Sequence, residues 1–135
     1  MRQLYAYSDN GIDWVKPPMG ITEEHGHDTN IVFGSEKFGS VHGAGILDDP
    51  WEPDSQRRYK ALYFYVPPTI DEVGGGLVKL AYSPDGKQWS PSANTPVVGP
   101  ERTQLDDVAI ITPEPESRGY LAFTRHPFML SLIHI

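Results

Sequence analysis

The chain has no cysteine among its 135 residues, few basic residues and no long hydrophobic run. Without cysteine there is no disulfide framework, no thiolate metal site and no cysteine nucleophile, and the redox compartment stays undetermined. The sequence shows no basic-then-apolar signal pattern and no apolar segment long enough to cross a bilayer. Neither a secretion signal nor a membrane-spanning helix is therefore predicted.

Positive charge is scarce, with 11 Lys and Arg against 18 Asp and Glu and a formal net charge of −7. The charges are spread along the chain rather than gathered in blocks. Such a chain offers no electrostatic footprint for nucleic acid or for an anionic membrane, so neither is predicted as a partner. Neutral and cationic partners remain open.

Glycine, proline and aromatic residues are plentiful: there are 13 glycines and 13 prolines, and 11% of the residues are aromatic. This composition, without an apolar stripe of helical period, is typical of short strands joined by many turns. We therefore predict an all-β fold.

One short phrase occurs twice, at Tyr7 to Trp14 and at Tyr82 to Trp89, 75 positions apart. In each copy an alternating strand leads into Asn10-Gly11 or Asp85-Gly86, dipeptides that tolerate the positive φ angles of a hairpin turn. The serine before the turn can hydrogen-bond to turn backbone, and the tryptophan after it can cover the turn. Because a hairpin cannot bury its own apolar face, its recurrence predicts units that stack.

A second correspondence gives the size of one unit, because the strand at Tyr59 is echoed by the strand at Tyr120, 61 positions later. One unit is predicted to contain strands A to D at 41–47, 59–65, 77–83 and 88–98, and loops are predicted at 15–29, 48–57, 66–76 and 100–106. A four-stranded antiparallel meander repeated around an axis is a blade of a β-propeller. Residues 1–129 would then hold strands C and D of one blade, a whole blade, and strands A and B of the next.

The two ends of the sequence predict a fragment of a longer protein. Met1 is followed at once by the interior of a hairpin strand, whose sheet neighbours would precede it. The last six residues, Leu130 to Ile135, match the translation of a transposon-end adapter used in sequencing libraries. We favour this origin over a native terminal strand of alternating apolar residues, because no turn leads into the segment.

Five segments together resemble the five-bladed propeller proteins related to invertases, levansucrases and arabinanases. They are Ala6 to Pro17, Asn30 to Val32, Arg57 to Lys60, Ala81 to Trp89 and Tyr120 to Arg125. The repeated hairpin indicates the fold, but a fold does not by itself determine an activity. Sialidases carry a similar hairpin with one more residue between the serine and the glycine, so a sialidase-like exo-hydrolase is the alternative.

The resemblance implies three carboxylates, one from each of three successive innermost strands, that meet at a central channel and act on a glycosidic bond. The first would lie upstream of Met1. At the second position, near Val41 to Leu47, we find His42 but no acid before Asp48 and Asp49. Those two acids follow the end of the strand, so we expect them to cap its turn rather than to act in catalysis.

The third position holds Asp106 and Asp107, which open a strand and precede an apolar run. These two residues are the predicted catalytic carboxylates. The alternative is an exposed acidic pair at the start of a strand, since adjacent acids are usually solvated.

Five further residues are candidates for binding substrate, and each has a structural alternative. His42 either bonds to a sugar hydroxyl or is a satisfied rim residue. Asn30 either satisfies loop backbone or reaches the channel. Arg125 and His126 could bind a carboxylate or a sugar, although Arg125 could instead pair with a neighbouring blade. Trp51 either stacks on a sugar face or packs against its own loop.

A short acidic segment contains His25 and His27, whose spacing places both side chains on one side of an extended chain, as in some metal sites. Spacing alone is weak support, and a solvated loop is the interpretation we favour. No metal and no cofactor are predicted.

The sequence thus predicts a parent protein that hydrolyses or binds carbohydrate, and a fragment that is itself inactive because it lacks catalytic and closing blades. The alternatives are a non-catalytic propeller that binds glycan or protein, and a sialidase-like exo-hydrolase, which would require an arginine triad where only Arg125 is suitably placed. The resemblance is compatible with an extracellular or periplasmic location. Substrate, linkage, stereochemistry, compartment and oligomeric state are not determined by the sequence.

Overall fold

A computed structural model describes residues 2–34, 40–66, 77–94, 97, 109–114, 116–117, 119–125 and 130–134. Within these ranges the fold is all-β, with small antiparallel sheets and a single turn of 3-10 helix at Ser55–Arg57. The strands are β1 (Gln3–Leu4), β2 (Glu23–Glu24), β3 (His27–Asp28), β4 (Ile31–Phe33), β5 (Ser40–Asp48), β6 (Tyr59–Val66), β7 (Leu77–Ser83), β8 (Ser90–Pro91), β9 (Ala109–Glu114), β10 (Gly119–Arg125) and β11 (Leu130–His134).

The central sheet is an antiparallel meander in the order β5-β6-β7-β8. The predicted strands A, B and C are confirmed to within one residue at each end, because alternating apolar residues and turn dipeptides specify them locally. Among the described residues of the predicted strand D, only Ser90 and Pro91 form a regular ladder, while residues 95, 96 and 98 lie outside the described ranges. Two further backbone bonds, from Ser92 N to the Leu80 carbonyl and from Val97 N to the Val78 carbonyl, both 2.8 Å, continue the pairing beyond it.

The first hairpin repeats this pairing but with a long interruption in its returning strand. Tyr7 and Val15 exchange backbone bonds of 3.0 and 2.9 Å, and Tyr5 N then donates to the Asn30 carbonyl at 2.8 Å. Beyond that point β4 pairs with β1. The intervening residues 16–29, called the excursion below, leave the sheet between these two points of contact.

The prediction of a plain loop at 15–29 was wrong in part, because the excursion contains the hairpin β2–β3. Its two turn residues, His25 and Gly26, have φ angles of 52° and 78°. Two successive positive φ angles are the pattern of a type I′ turn, which matches the twist of the flanking strands. Histidine is a rarer turn residue than asparagine, so this turn was not predicted from the residue types.

Both faces of the central sheet are buried, each against a different unit. Ala61 and Tyr63 of β6 belong to a cluster that includes Val32 and Phe33 of the preceding unit. Leu62, the residue between them, belongs to a second cluster that joins β6 and β7 to the sheet formed by β9 and β10. Successive side chains of a strand point to opposite faces, so β6 is apolar on both faces apart from Lys60, rather than alternating.

The second sheet has the order β11-β10-β9. Its outer strand β11 is formed by residues of the segment predicted to be an adapter translation, and it pairs with β10 from Leu121 to Arg125. Backbone pairing of this kind depends little on side-chain identity, so a native segment and an adapter-derived one could both form it. The adapter origin of Leu130 to Ile135 therefore stays a prediction.

Candidate functional site

The two ends of the central sheet carry different sets of candidate residues. His42 lies near the start of β5, while Asp49 follows its end. Seven residues of extended chain separate them, a distance of about 23 Å at 3.3 Å per residue. A site built at one end is therefore out of reach of a site at the other.

His42 is half-buried and lies opposite Phe64 in the register of β5 and β6. The two rings meet edge to face, with centroids 6.4 Å apart and an angle of 83° between the planes. The register shifts between His42 and Ala44, where Gly43 has a φ of 62°. This is a β-bulge, a device that re-aims the neighbouring side chain and is frequent beside functional sites.

The partners predicted for His42 cannot be placed around it. Asp106, Asp107 and His126 lie outside the described residues, and of Arg125 only the backbone, at the end of β10, is described. The structure thus brings none of these candidates together with His42.

Asn30 bonds to backbone of the first strand segment. Its side-chain amide donates to the Tyr5 carbonyl at 2.7 Å, beside the bond from Tyr5 N to the Asn30 carbonyl. This is the backbone contact that the sequence left open, and a role of Asn30 in binding stays a prediction. His25 and His27 lie in the β2–β3 hairpin, and no metal-binding group of three or more His, Asp or Glu occurs within the described ranges.

At the other end of the sheet, a cavity of about 650 Å³ lies between the loop after β5 and the turn between β9 and β10. We call it the turn pocket. It is lined by Asp49, Trp51, Glu52, Pro53, Pro113, Glu114, Gly119 and Tyr120.

A buried lysine organises the floor of the turn pocket. Lys60 is 2% exposed, and its Nζ lies 3.1 Å from Asp49 Oδ2 and 2.9 Å from Glu52 Oε2. The same ammonium donates to the Arg57 carbonyl at 3.0 Å. Three acceptors match its three N–H groups, so the charge is both neutralised and fully hydrogen-bonded.

Tyr120 ties this cluster to the second sheet. Its hydroxyl donates to Asp49 Oδ2 at 2.5 Å, and Lys60 Nζ lies 5.0 Å from the centre of its ring. Asp49 therefore accepts one hydrogen bond from β6 of the central sheet and one from β10 of the second sheet. A carboxylate shared in this way links the two sheets by charge-assisted hydrogen bonds.

The ionisation of the cluster follows from these contacts. Burial raises the pKa of Asp49, but the hydrogen bonds from Tyr120 and Lys60 outweigh it and bring the pKa below its ordinary value. The hydrogen bond from Lys60 lowers the pKa of Glu52. Burial lowers the pKa of Lys60, and its hydrogen bonds with Glu52 and Asp49 reverse that effect and raise it. At neutral pH all three groups are charged.

The rim of the pocket carries an exposed aromatic side chain. Trp51 is 83% exposed, and its backbone N–H donates to Asp49 Oδ1 at 3.3 Å. On the opposite wall, Glu114 accepts a short hydrogen bond from the Ser117 hydroxyl. The predicted turn-capping role of Asp48 and Asp49 fits these contacts, since Asp48 binds Arg58 in a bidentate pair of 2.8 and 3.0 Å.

Reasoning from the sequence singled out Trp51 but missed Lys60, Glu52, Glu114 and Tyr120. A signal was present, because a lysine inside an otherwise apolar strand requires a buried partner. The partner could not be named, since Tyr120 and Lys60 lie 60 positions apart.

Comparison with known proteins gives no relative: no family model, no curated protein and no solved structure matches the chain. Nor does the part of the chain that the structure describes include a helix long and apolar enough to cross a membrane.

Proposed function

We propose that the chain is part of a five-bladed β-propeller protein, similar to the invertases, levansucrases and arabinanases, that hydrolyses or binds carbohydrate. The observation that supports this most is a four-stranded meander with a neighbouring unit on each face. The central sheet is a four-stranded meander, it is covered on one face by the preceding unit and on the other by the following one, and β5 contacts β9. Stacking of this kind is what propeller blades require.

The pairing registers align the two units residue by residue. Ala44 pairs with Tyr63 in the central sheet, and Ala109 pairs with Thr124 in the next. Tyr63 and Thr124 are 61 positions apart, the same spacing as the two tyrosines that begin their strands. Ala44 and Ala109 are therefore equivalent positions in the repeat.

Ahead of these alanines lie His42 in one unit and the pair Asp106 and Asp107 in the other. A histidine and a carboxylate near the starts of the innermost strands of adjacent units are suited to proton transfer and to holding a sugar. The proposed catalytic carboxylates are therefore Asp106 and Asp107. Glycoside hydrolysis further needs a second carboxylate.

The test is a screen of the protein encoded by the uninterrupted reading frame on p-nitrophenyl furanosides and pyranosides. We expect turnover of at least one substrate, and a fall of roughly 10² to 10⁴ in kcat for Asp106→Asn or for Asp107→Asn. Asp48→Asn is the matched control, because its carboxylate is paired with Arg58 at the far end of the strand. Its kcat should be unchanged.

Two results would count against hydrolysis. Sugar binding without turnover of any substrate would favour the non-catalytic module, the second candidate. The absence of both sugar binding and turnover would reject a carbohydrate function altogether.

A further inference from the structure

We propose that the turn pocket is a binding site for a neutral sugar, separate from the end of the sheet that holds His42. It lies about 23 Å away along β5, so it goes beyond the proposed function rather than forming part of the same site. Its volume of about 650 Å³ is within the range of small-ligand sites, roughly 300 to 1,000 Å³.

Trp51 supplies the apolar surface such a ligand needs. An indole that is 83% exposed gains free energy if a ligand covers it, and one face of a sugar ring presents C–H groups that lie flat on an aromatic ring. Its backbone N–H is held by Asp49, so the start of its loop is anchored to the floor of the pocket. An anchored loop backbone loses less conformational entropy on binding than a mobile one.

The floor supplies acceptors for sugar hydroxyls. A carboxylate offers about four acceptor positions. Asp49 Oδ1 accepts the Trp51 N–H, and Glu52 Oε1 accepts the Asp54 N–H at 3.2 Å, which leaves lone pairs on both oxygens. Hydroxyl groups donating to ionised carboxylates form strong, short hydrogen bonds.

The charges of the pocket favour a neutral ligand over an ionic one. Among the described lining residues Asp49, Glu52 and Glu114 are acidic and none is basic, so an acidic sugar would be repelled. Recognition of an organic cation commonly uses several aromatic faces. Here the Tyr120 ring already faces Lys60 at 5.0 Å, which leaves Trp51 as the one aromatic face among the described lining residues.

The test uses the 135-residue chain labelled with ¹⁵N, because its three tryptophans give three indole N–H signals that report on different places. Cellobiose, sucrose and arabinobiose are titrated separately into the millimolar range, together with tetramethylammonium as a cationic probe. We expect at least one disaccharide to shift the Trp51 indole signal saturably, with no saturable shift from tetramethylammonium.

Two variants sharpen the test. Trp51→Ala should weaken binding of that disaccharide by about tenfold or more, and folding should survive because the side chain is exposed. Trp14→Ala is the matched control, since Trp14 is also exposed, at 60%, but lies in the first hairpin. It should leave the affinity unchanged.

Unchanged affinity in Trp51→Ala, a response to tetramethylammonium alone, or no shift of the Trp51 indole by any of the disaccharides would each overturn the proposal. The His42 imidazole signals distinguish this failure from failure of the proposed function. Sugar-dependent shifts at His42 with none at Trp51 would overturn the turn pocket and leave the carbohydrate function standing.

Discussion

Lys60 places a positive charge at the boundary between the two sheets, where water is excluded. Such a charge is tolerated because Asp49, Glu52 and the Arg57 carbonyl surround it. Removing one partner of a buried ion pair leaves an uncompensated charge in the interior. The loss of stability is far larger than the loss on replacing the whole pair by apolar residues. The cluster is therefore sensitive to single substitutions.

We expect Lys60→Met to lower the free energy of unfolding by about 3 to 5 kcal/mol at pH 7. The lowered pKa values of Asp49 and Glu52 add stability above the ordinary carboxyl range, and that stability is lost as the pH falls through the lowered values. Without the Lys60 ammonium the pKa values of Asp49 and Glu52 both rise. Protonation at low pH then removes their unpaired negative charges, so the variant is less destabilised there. The deficit should shrink at about pH 3, as measured by urea denaturation at both pH values.

Arg58→Met is the control for this change. Arg58 pairs with Asp48 in the same loop, but both side chains are nearly half exposed. Water and salt screen an exposed pair, so this variant should change the free energy of unfolding little at either pH. An equal loss in the two variants would show that Lys60 is not specially placed.

At the scale of elements, the repeated hairpin provides the same local structure in two surroundings. In both copies the serine oxygen accepts a backbone N–H from the turn glycine at 2.9 Å and from the residue before it at 3.3 Å. The copies differ in burial, since Trp89 is 4% exposed against Phe33 while Trp14 is 60% exposed. The predicted covering of the turn by tryptophan is seen in the second copy, where the Trp89 indole donates to the Gly86 carbonyl at 3.1 Å.

We expect Ser83→Ala to destabilise the chain by about 1 to 3 kcal/mol, because Ser83 is 0% exposed and the Gly86 N–H would lose its partner away from water. Ser8→Ala removes the same bonds where water can replace them, and it should cost less than about 1 kcal/mol. Urea denaturation of the two variants measures the difference. Equal losses would mean that burial does not set the strength of this turn.

The elements that the sequence predicted well are those specified by neighbouring residues. The ends of β6 and β7 follow from alternation and from the Asp85-Gly86 turn, both of which are local. The β2–β3 hairpin was missed because it is polar on both sides and has a histidine at a positive φ. The turn pocket was missed because its walls come from separate sheets, and no local pattern records which loops will meet.

Considered as a whole, the molecule is a stack in which the central sheet has a neighbour on each face. Phe33 contacts Tyr63 and Trp89 edge to face, with ring centroids 4.9 and 5.6 Å apart. Ile111 lies in the cluster on the opposite face. The two contacts couple the central sheet to different neighbours, so each can be weakened separately.

A double-mutant cycle with Phe33→Leu and Trp89→Leu should give a coupling energy of about 0.5 to 1.5 kcal/mol, the range for aromatic pairs beyond their burial. The parallel cycle of Phe33→Leu with Ile111→Ala joins opposite faces, and it should be additive within about 0.5 kcal/mol. Both are measured by urea denaturation. Additivity in the first cycle would show that the aromatic contact does not hold the two units together.

The excursion at residues 16–29 begins after Val15, which pairs with Tyr7, and ends before Asn30, which pairs with Tyr5. Several of its hydrogen bonds close within it, as where the Gly20 N–H donates to the Asp28 carboxylate at 2.7 and 2.9 Å, while Glu24 pairs with Arg2 outside it. A segment anchored in this way is a natural place for length variation between homologues. It is also a practical graft site, where a foreign peptide could replace the β2–β3 hairpin and be displayed without altering the registers on either side.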